Sequence, residues 1–254
     1  MNALSRAGVL GAVLFVCLAV PCAGWAGDVP RTDCDDLAAS GDDAQAAACY
    51  RKAADQGDAH AQNMLGLIHL TGRGVPKDNS KALELLRKSA AQGDVGGQTN
   101  LGMMYFQGIG ASRDYAQALD LFRKAAGQGS AEAQNNLGMM YEGGLGVSKD
   151  YAQALELFRK AAAEGNASAQ NNLGIMYLQG FGAPKDETQA FEWFRRAAQQ
   201  GNSMAQANLG LMYEKGLGAP KDNTQAVEWY RKATAQGNAG AEERLLYLNA
   251  QEHQ

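Results

Sequence analysis

The amino-acid sequence predicts an all-α fold, an α-solenoid built from helix-turn-helix repeats. The first observation is a Leu-Gly pair that recurs every 36 residues, at 65–66, 101–102, 137–138, 173–174 and 209–210. The second is a Gly-x-Gly segment that follows each pair at a constant distance. The third is the spacing of apolar residues within each unit, which is that of one helix face. Self-similarity at a period of about 20–50 residues is typical of solenoids.

Each unit divides into two helices, here called A and B. In the second unit, helix A is predicted by residues at i, i+3, i+4 spacing, namely Gln98, Leu101, Met104 and Tyr105. The Gly-x-Gly segment ends helix A, because glycine takes the left-handed C′ position without a Cβ penalty. Helix B begins after an aspartate at a constant phase, since Asp is a preferred N-cap. These aspartates are Asp78, Asp114, Asp150, Asp186 and Asp222.

The repeats divide the chain into four predicted regions. These are a signal peptide (1–26), an irregular N-terminal half-repeat (27–57), five 36-residue repeats (58–237) and a C-terminal capping helix with a polar tail (238–254). One helix pair cannot bury its apolar face alone, and about three stacked repeats are needed for stability. Five complete units therefore suffice for an independent fold.

The first 26 residues have the pattern of an export signal. Arg6 precedes an apolar run from Val9 to Val20, and small residues on both sides of Trp25 predict cleavage after Ala26. The run is shorter than the stretch of about 20 residues that spans a bilayer. We therefore expect a periplasmic or extracellular protein with no stable membrane insertion after cleavage. An uncleaved membrane anchor is the alternative.

Cysteine usage agrees with export. Cleavage would remove Cys17 and Cys22 and leave Cys34 and Cys49. An even number of cysteines in an exported chain predicts a disulfide, which would stabilise the half-repeat by about 3 kcal/mol. The alternative is two free thiols.

The charge and the motifs argue against nucleic-acid binding and against cofactor chemistry. The formal net charge is −4, whereas phosphate binding needs a basic face. The histidines and cysteines lack metal-ligand spacing, and neither a nucleophile elbow nor a phosphate loop occurs. We expect no metal, no cofactor and no catalytic residues.

The repeat unit resembles that of the Sel-one-like repeat (SLR) family, a relative of the tetratricopeptide repeat (TPR) with a longer loop between its helices. The shared pattern is Ala-x-x-Asn-Leu-Gly-x-Met-Tyr-x-x-Gly-x-Gly, then Lys-Asp, then Ala-x-x-x-(Phe/Tyr)-Arg-(Lys/Arg)-Ala, over about residues 58–250. The resemblance implies a right-handed, TPR-like superhelix that serves as an adaptor for protein complexes. We therefore expect a monomer that binds a protein or a peptide.

Some cysteine-rich relatives in this superfamily are described as penicillin-binding or weakly β-lactam-hydrolysing. The matching positions of this sequence hold Gln98 with Ala126, and Gln134 with Ala162, instead of cysteine pairs. We therefore expect a non-catalytic protein. A cell-envelope hydrolase that acts on β-lactams or peptidoglycan is the alternative.

Asparagines before the Leu-Gly pairs are the candidate binding residues. On the TPR analogy this position points into the concave groove that the A helices line. It holds Asn100, Asn136, Asn172 and Asn208, and the adjacent Asn135 and Asn171 are assigned to the same surface. An asparagine side chain has one acceptor and two donors, so it can bind a peptide backbone without reading side chains. The alternative is that these asparagines bond to adjacent helices and only hold the superhelix.

Overall fold

The computed structural model describes residues 31–252, and every regular element within this range is an α-helix. The helices are α1 (Arg31–Ser40), α2 (Asp43–Asp55), α3 (Ala59–Thr71), α4 (Asn79–Ala91), α5 (Val95–Gln107), α6 (Tyr115–Gly127), α7 (Ala131–Gly143), α8 (Tyr151–Ala163), α9 (Ala167–Gln179), α10 (Glu187–Gln199), α11 (Ser203–Lys215), α12 (Asn223–Thr234) and α13 (Ala239–Glu252). The predicted signal peptide lies outside the described residues. No helix of the described part is both long enough and apolar enough to cross a membrane.

The helices form consecutive pairs that stack in one direction. Helices α3, α5, α7, α9 and α11 are the A helices of the five units, and α4, α6, α8, α10 and α12 are the B helices. Each A helix packs most extensively against the B helix of its own unit, and each B helix also packs against the next A helix. This arrangement confirms the predicted solenoid of helix-turn-helix repeats.

The helix ends follow the capping residues that the sequence predicts. The Asp78 carboxylate accepts a hydrogen bond of 2.9 Å from the Lys81 backbone N–H, and the other four aspartates cap their B helices in the same way. Each A helix ends at a glycine in the left-handed region, such as Gly108 with φ of 75°. These N-caps and C-caps confirm the predicted division of each unit.

The Leu-Gly motif sets how closely the two helices of a unit approach. A Cβ atom on Gly102 would lie 2.7 Å from a ring carbon of Phe122, which is fully buried. Gly138 with Phe158 and Gly174 with Phe194 repeat this contact at 2.7 Å. The glycine is therefore required because an aromatic ring from helix B packs directly on the backbone of helix A.

A second contact stacks one unit on the next. Gly146, in the loop between α7 and α8, lies against the start of α6, and a Cβ atom there would be 2.9 Å from the Tyr115 carbonyl oxygen. Arginines of the B helices add hydrogen bonds to the next A helix, because Arg87 donates to the Tyr105 hydroxyl at 2.8 Å and Arg159 to that of Tyr177 at 2.8 Å. These contacts fix the angle between successive units.

The N-terminal unit consists of α1 and α2, joined by a disulfide between Cys34 and Cys49 with a Cα–Cα distance of 5.4 Å. This bond confirms the predicted pairing. The Tyr50 hydroxyl donates a hydrogen bond to Asp35, which adds a second link between the two helices. Burial and the nearby Asp35 carboxylate raise the pKa of Tyr50 above its usual value, so the hydroxyl stays protonated.

The C-terminal unit is the single helix α13, which packs on α11 and α12. Its Arg244 stands where the preceding units have the asparagine, and it donates two hydrogen bonds to the Glu214 carboxylate on α11. Lys215 and the Tyr230 hydroxyl also contact this carboxylate, at 2.9 and 3.0 Å. Burial alone would raise the pKa of Glu214, but the hydrogen bonds from these groups hold it below its usual value.

Candidate binding face

One surface of the solenoid carries polar and apolar side chains in rows at the repeat period. Residues at i, i+4 and i+7 of a helix share a face, and three such positions on α5, α7, α9 and α11 define what we call the A-helix face. The first-turn row is Gly96, Glu132, Ser168 and Met204. The asparagine row is Asn100, Asn136, Asn172 and Asn208. The apolar row is Met103, Met139, Ile175 and Leu211. The side chains of the asparagine row and of the apolar row are half-buried.

Three of the four asparagines in this row form hydrogen bonds to the preceding A helix. The Nδ2 atom of Asn100 donates to Asn63 Oδ1 at 2.8 Å, Asn172 donates to Asn135 at 2.9 Å, and Asn208 donates to Asn171 at 2.9 Å. The acceptors Asn135 and Asn171 are buried, with 6% and 3% of their surface exposed. These bonds form an asparagine ladder between neighbouring A helices.

The ladder is interrupted between α5 and α7. The position opposite Asn136 is Thr99, whose hydroxyl donates to the Val95 carbonyl of its own helix at 2.8 Å. The Nδ2 atom of Asn136 is therefore buried without a hydrogen-bond partner. Asn136 is the one asparagine of this row whose amide group forms no hydrogen bond to the neighbouring A helix.

A second ladder, of glutamines, joins helix A to the end of helix B within each unit. Gln92 donates to Gln62 at 2.8 Å, and the equivalent pairs are Gln128 with Gln98, Gln200 with Gln170 and Gln236 with Gln206. In the unit 131–166 the donor position holds Glu164, and the Gln134 Oε1 atom has no partner. This ladder was not predicted from the sequence, although glutamines recur at the period of the repeat.

Glu132 is a half-buried carboxylate in the first turn of α7, one turn before Asn136. Burial raises the pKa of its carboxyl above the usual value. Among the described residues, no group donates a hydrogen bond to Glu132 or forms an ion pair with it. The flanking helices α5 and α9 contain no charged residue. The sequence analysis missed Glu132, because a single glutamate has no pattern that separates it from surface charges.

A depression of about 390 Å³ lies on the A-helix face between α9 and α11. Its apolar lining consists of Leu178, Leu211, Met212 and Leu217, and its polar lining consists of Gln179, Lys185, Glu187 and Asn208. A volume of this order is enough to enclose an apolar side chain of a partner. The depression therefore joins one predicted binding residue to an accessible apolar surface.

The acidic side chains of the described residues are not clustered into a metal site. Across residues 31–252, no group of three or more His, Cys, Asp or Glu side chains is arranged to hold a metal ion. The buried carboxylate at Glu214 is occupied by Arg244, Lys215 and Tyr230.

Stacked helix pairs joined by side-chain ladders define an α-helical repeat protein. The chain belongs to the Sel1 repeat family. The family model for the Sel1 repeat matches residues 37–58, 59–94, 96–130, 131–166, 167–202 and 203–238. The first match falls on a segment that the sequence analysis assigns to an irregular half-repeat, and the other five follow the 36-residue period. A comparison with curated proteins gives no match.

Solved structures agree with this assignment. A Sel1 repeat protein from Oxalobacter formigenes is 33% identical with a TM-score of 0.76, over 84% of this chain and 85% of that one. The protein c5321, a protective antigen of uropathogenic Escherichia coli with an SLR fold, is 41% identical with a TM-score of 0.66, over 81% of this chain and 44% of that one. The chain thus spans less than half the length of c5321. These matches confirm the right-handed SLR superhelix.

A more distant match shows the fold alone. The immunity protein Pa5087 from Pseudomonas aeruginosa is 22% identical with a TM-score of 0.59, over 84% of both chains. The same stacking of helix pairs is therefore compatible with a largely different sequence.

Proposed function

We propose that this protein is an exported, non-catalytic scaffold or adaptor that binds another protein, through an extended segment, along the A-helix face. The observation that carries the proposal is the depression between α9 and α11, where the half-buried Leu211 and Leu217 line an apolar surface beside Asn208. Helical repeat proteins use the extended surface of their superhelix for binding. The apolar row on α5, α7 and α9 extends this surface beyond the depression.

The contacts of the asparagine ladder support two roles, which are holding the superhelix together and binding a peptide backbone. The Nδ2 atoms of Asn100, Asn172 and Asn208 are used between helices, which holds neighbouring A helices in register. The Oδ1 atoms of these three residues accept no hydrogen bond within the described range. Each can therefore accept a backbone N–H from a bound segment. Neighbouring A helices lie about 8–10 Å apart. One asparagine of the ladder would therefore lie beside about every third residue of an extended bound segment.

Export is part of the proposal. Disulfides persist in oxidising compartments and are rare in the cytosol, and the Cys34–Cys49 bond stabilises the terminal unit. Together with the signal pattern in the first 26 residues, this favours a periplasmic or extracellular site of action. The partner is accordingly another envelope or extracellular protein.

Site-specific photocrosslinking tests the proposal. Gln179 is exposed at the edge of the depression, whereas Gln153 is exposed on α8, a B helix. A photoreactive amino acid at position 179 should give a covalent adduct with a partner protein in intact cells, and the same amino acid at position 153 should not. Equal adducts at both positions would contradict binding on the A-helix face. Hydrolysis of nitrocefin that survives repurification would contradict the non-catalytic part.

A further inference from the structure

The unit 131–166 is the place where polar groups of the A-helix face are left without partners. Three of the four asparagine rungs are bonded to the preceding helix, but Asn136 is not. Glu132, one turn earlier on the same face of α7, also has no partner among the described residues. In the preceding unit, the matching residue Gly96 lies directly against Asn63, so repeat equivalence places Glu132 above Thr99. The two unpartnered groups thus lie at one interruption of the asparagine ladder, between α5 and α7, which we call the Glu132 gap.

We infer that this gap binds a basic side chain, Lys or Arg, of an extended peptide segment, with the Glu132 carboxylate as its ion-pair partner and Asn136 as a donor to an adjacent backbone carbonyl. The inference rests on the proposed function and names the chemistry of the partner. Asn136 can turn toward a ligand without breaking a hydrogen bond of the fold, whereas the other three rungs cannot.

Charge complementarity favours a basic group over other ligands. Helices α5 and α9 carry no charged residue, and α7 carries only Glu132 and Glu142. A cation that approaches the first turn of α7 therefore meets the Glu132 carboxylate and no positive charge from these three A helices. The cations of the adjacent helix α6 have partners elsewhere, since Arg123 donates to the Tyr141 hydroxyl and Lys124 pairs with Asp120. A half-buried carboxylate without a partner is costly, because it has lost part of its hydration without gaining a hydrogen bond. Binding of a guanidinium or ammonium group would restore that interaction.

The distance to the depression gives the spacing of the recognised segment. The Glu132 gap lies between α5 and α7, and the depression lies between α9 and α11, which is two units further along. At about 8–10 Å between neighbouring A helices, the two sites are about 16–20 Å apart across the helices. Leu211 also lies about 10 Å further along its helix than the position equivalent to Glu132, so the total separation is about 19–23 Å. An extended chain covers this distance in about six or seven residues, and the preferred segment therefore has a basic residue and an apolar residue six or seven positions apart.

A structural role for Glu132 makes a different prediction. A carboxylate in the first turn of a helix interacts favourably with the helix dipole. If this were the whole role, Glu132→Gln would lower stability and leave ligand preference unchanged. The exposed Glu228 on α12 provides a matched control, since Glu228→Gln removes the same charge away from the A-helix face.

Selection from a phage library of random 12-residue peptides, with the whole chain as target, tests the inference. We expect enriched peptides to carry Lys or Arg about six or seven positions from an apolar residue. For a synthetic enriched peptide, Glu132→Gln should raise Kd about tenfold, as for loss of one hydrogen-bonded charge, and Glu228→Gln should not change it. Thr99→Asn places at this position the residue found at 63, 135 and 171. It should bond to Asn136 and weaken binding severalfold without loss of stability.

The possible failures are distinguishable. Enriched peptides without a basic residue, or an unchanged Kd in Glu132→Gln, would overturn the inference and leave binding on the A-helix face intact. Failure to enrich any peptide, together with no adduct at position 179, would overturn both the inference and the proposed function. A Glu132→Gln variant with a lowered unfolding midpoint and unchanged peptide preference would assign Glu132 to the helix dipole.

Discussion

The two ends of the solenoid are closed by different chemistry. At the N-terminal end a disulfide links Cys34 on α1 to Cys49 on α2. At the C-terminal end the link is noncovalent, since Arg244 on α13 contacts the buried Glu214 on α11. Terminal units have one neighbour instead of two, so they bury less apolar surface than interior units. Each end therefore has an additional link that the interior units lack.

The difference lies in which state of the chain each link acts on. A disulfide restricts the unfolded chain and therefore stabilises the folded unit at any pH where the bond is intact. The cluster at Glu214 acts in the folded state and depends on the charge of one carboxylate, 5% of whose side chain is exposed. The two ends should consequently respond to different perturbations. Reduction should affect only α1 and α2, and acid should affect mainly α13.

Removal of the disulfide should have the largest effect. The Cys34→Ser, Cys49→Ser double variant loses a cross-link with a sequence separation of 15 residues, which costs about 3 kcal/mol on the chain-entropy model. Hydrogen exchange should show that amides of α1 and α2 lose protection while those of α9 and α10 keep it. Uniform loss of protection along the solenoid would show instead that the whole chain unfolds as one unit.

Loss of the C-terminal ion pair should have a smaller effect. Arg244→Met leaves the Glu214 carboxylate with Lys215 and Tyr230. Removing one partner of a fully buried pair costs about 3–5 kcal/mol, but Arg244 is about one-third exposed, so we expect about 2 kcal/mol. Hydrogen exchange in α13 is the measurement. Arg231→Met, at an exposed position of α12, should cost less than about 0.5 kcal/mol.

Acid should loosen the C-terminal end before the N-terminal end. The pKa of Glu214 is lower in the folded chain than in the unfolded chain. Its contribution is therefore complete above the unfolded pKa, near 4.3, and is lost as pH falls through the lower folded pKa. Protection of α13 amides should decrease over this range, and Glu214→Gln should remove the pH dependence. The same decrease at α2 would contradict the assignment to Glu214.

Repetition explains why the sequence predicted most of the fold. The capping aspartates and Gly-x-Gly segments recur five times, so their roles could be inferred from spacing and confirmed by α4 to α12. The side-chain ladders could not be predicted, because a hydrogen bond such as Asn172 to Asn135 joins residues 37 apart on different helices. Position alone did not show whether such an asparagine faces a ligand or a neighbouring helix. The Glu132 gap could not be predicted either. It is defined by the absence of a hydrogen bond between Asn136 and Thr99, and only the packed structure shows that absence.

We expect the smallest change in stability from substitutions in the interior units, which contain neither the disulfide nor the ion pair of the two ends. In the unit 131–166, Glu164 replaces the glutamine that donates to the A helix in the other four units, and Gln134 Oε1 is left unpaired. Glu164→Gln should supply this donor and stabilise the unit by about 1 kcal/mol. Gln200→Glu in the next unit should remove the equivalent bond and cost a similar amount.

Urea unfolding measures both changes, and the pair of variants separates the hydrogen bond from the charge. Glu164→Gln removes a negative charge and Gln200→Glu adds one, so a uniform effect of net charge would also give opposite signs. Exposed Glu228 on α12 therefore serves as the control, since Glu228→Gln removes a charge without completing a ladder. Stabilisation by Glu228→Gln equal to that by Glu164→Gln would assign the effect to charge. A gain confined to position 164 would show that interior units depend on ladder bonds where the ends depend on a disulfide and an ion pair.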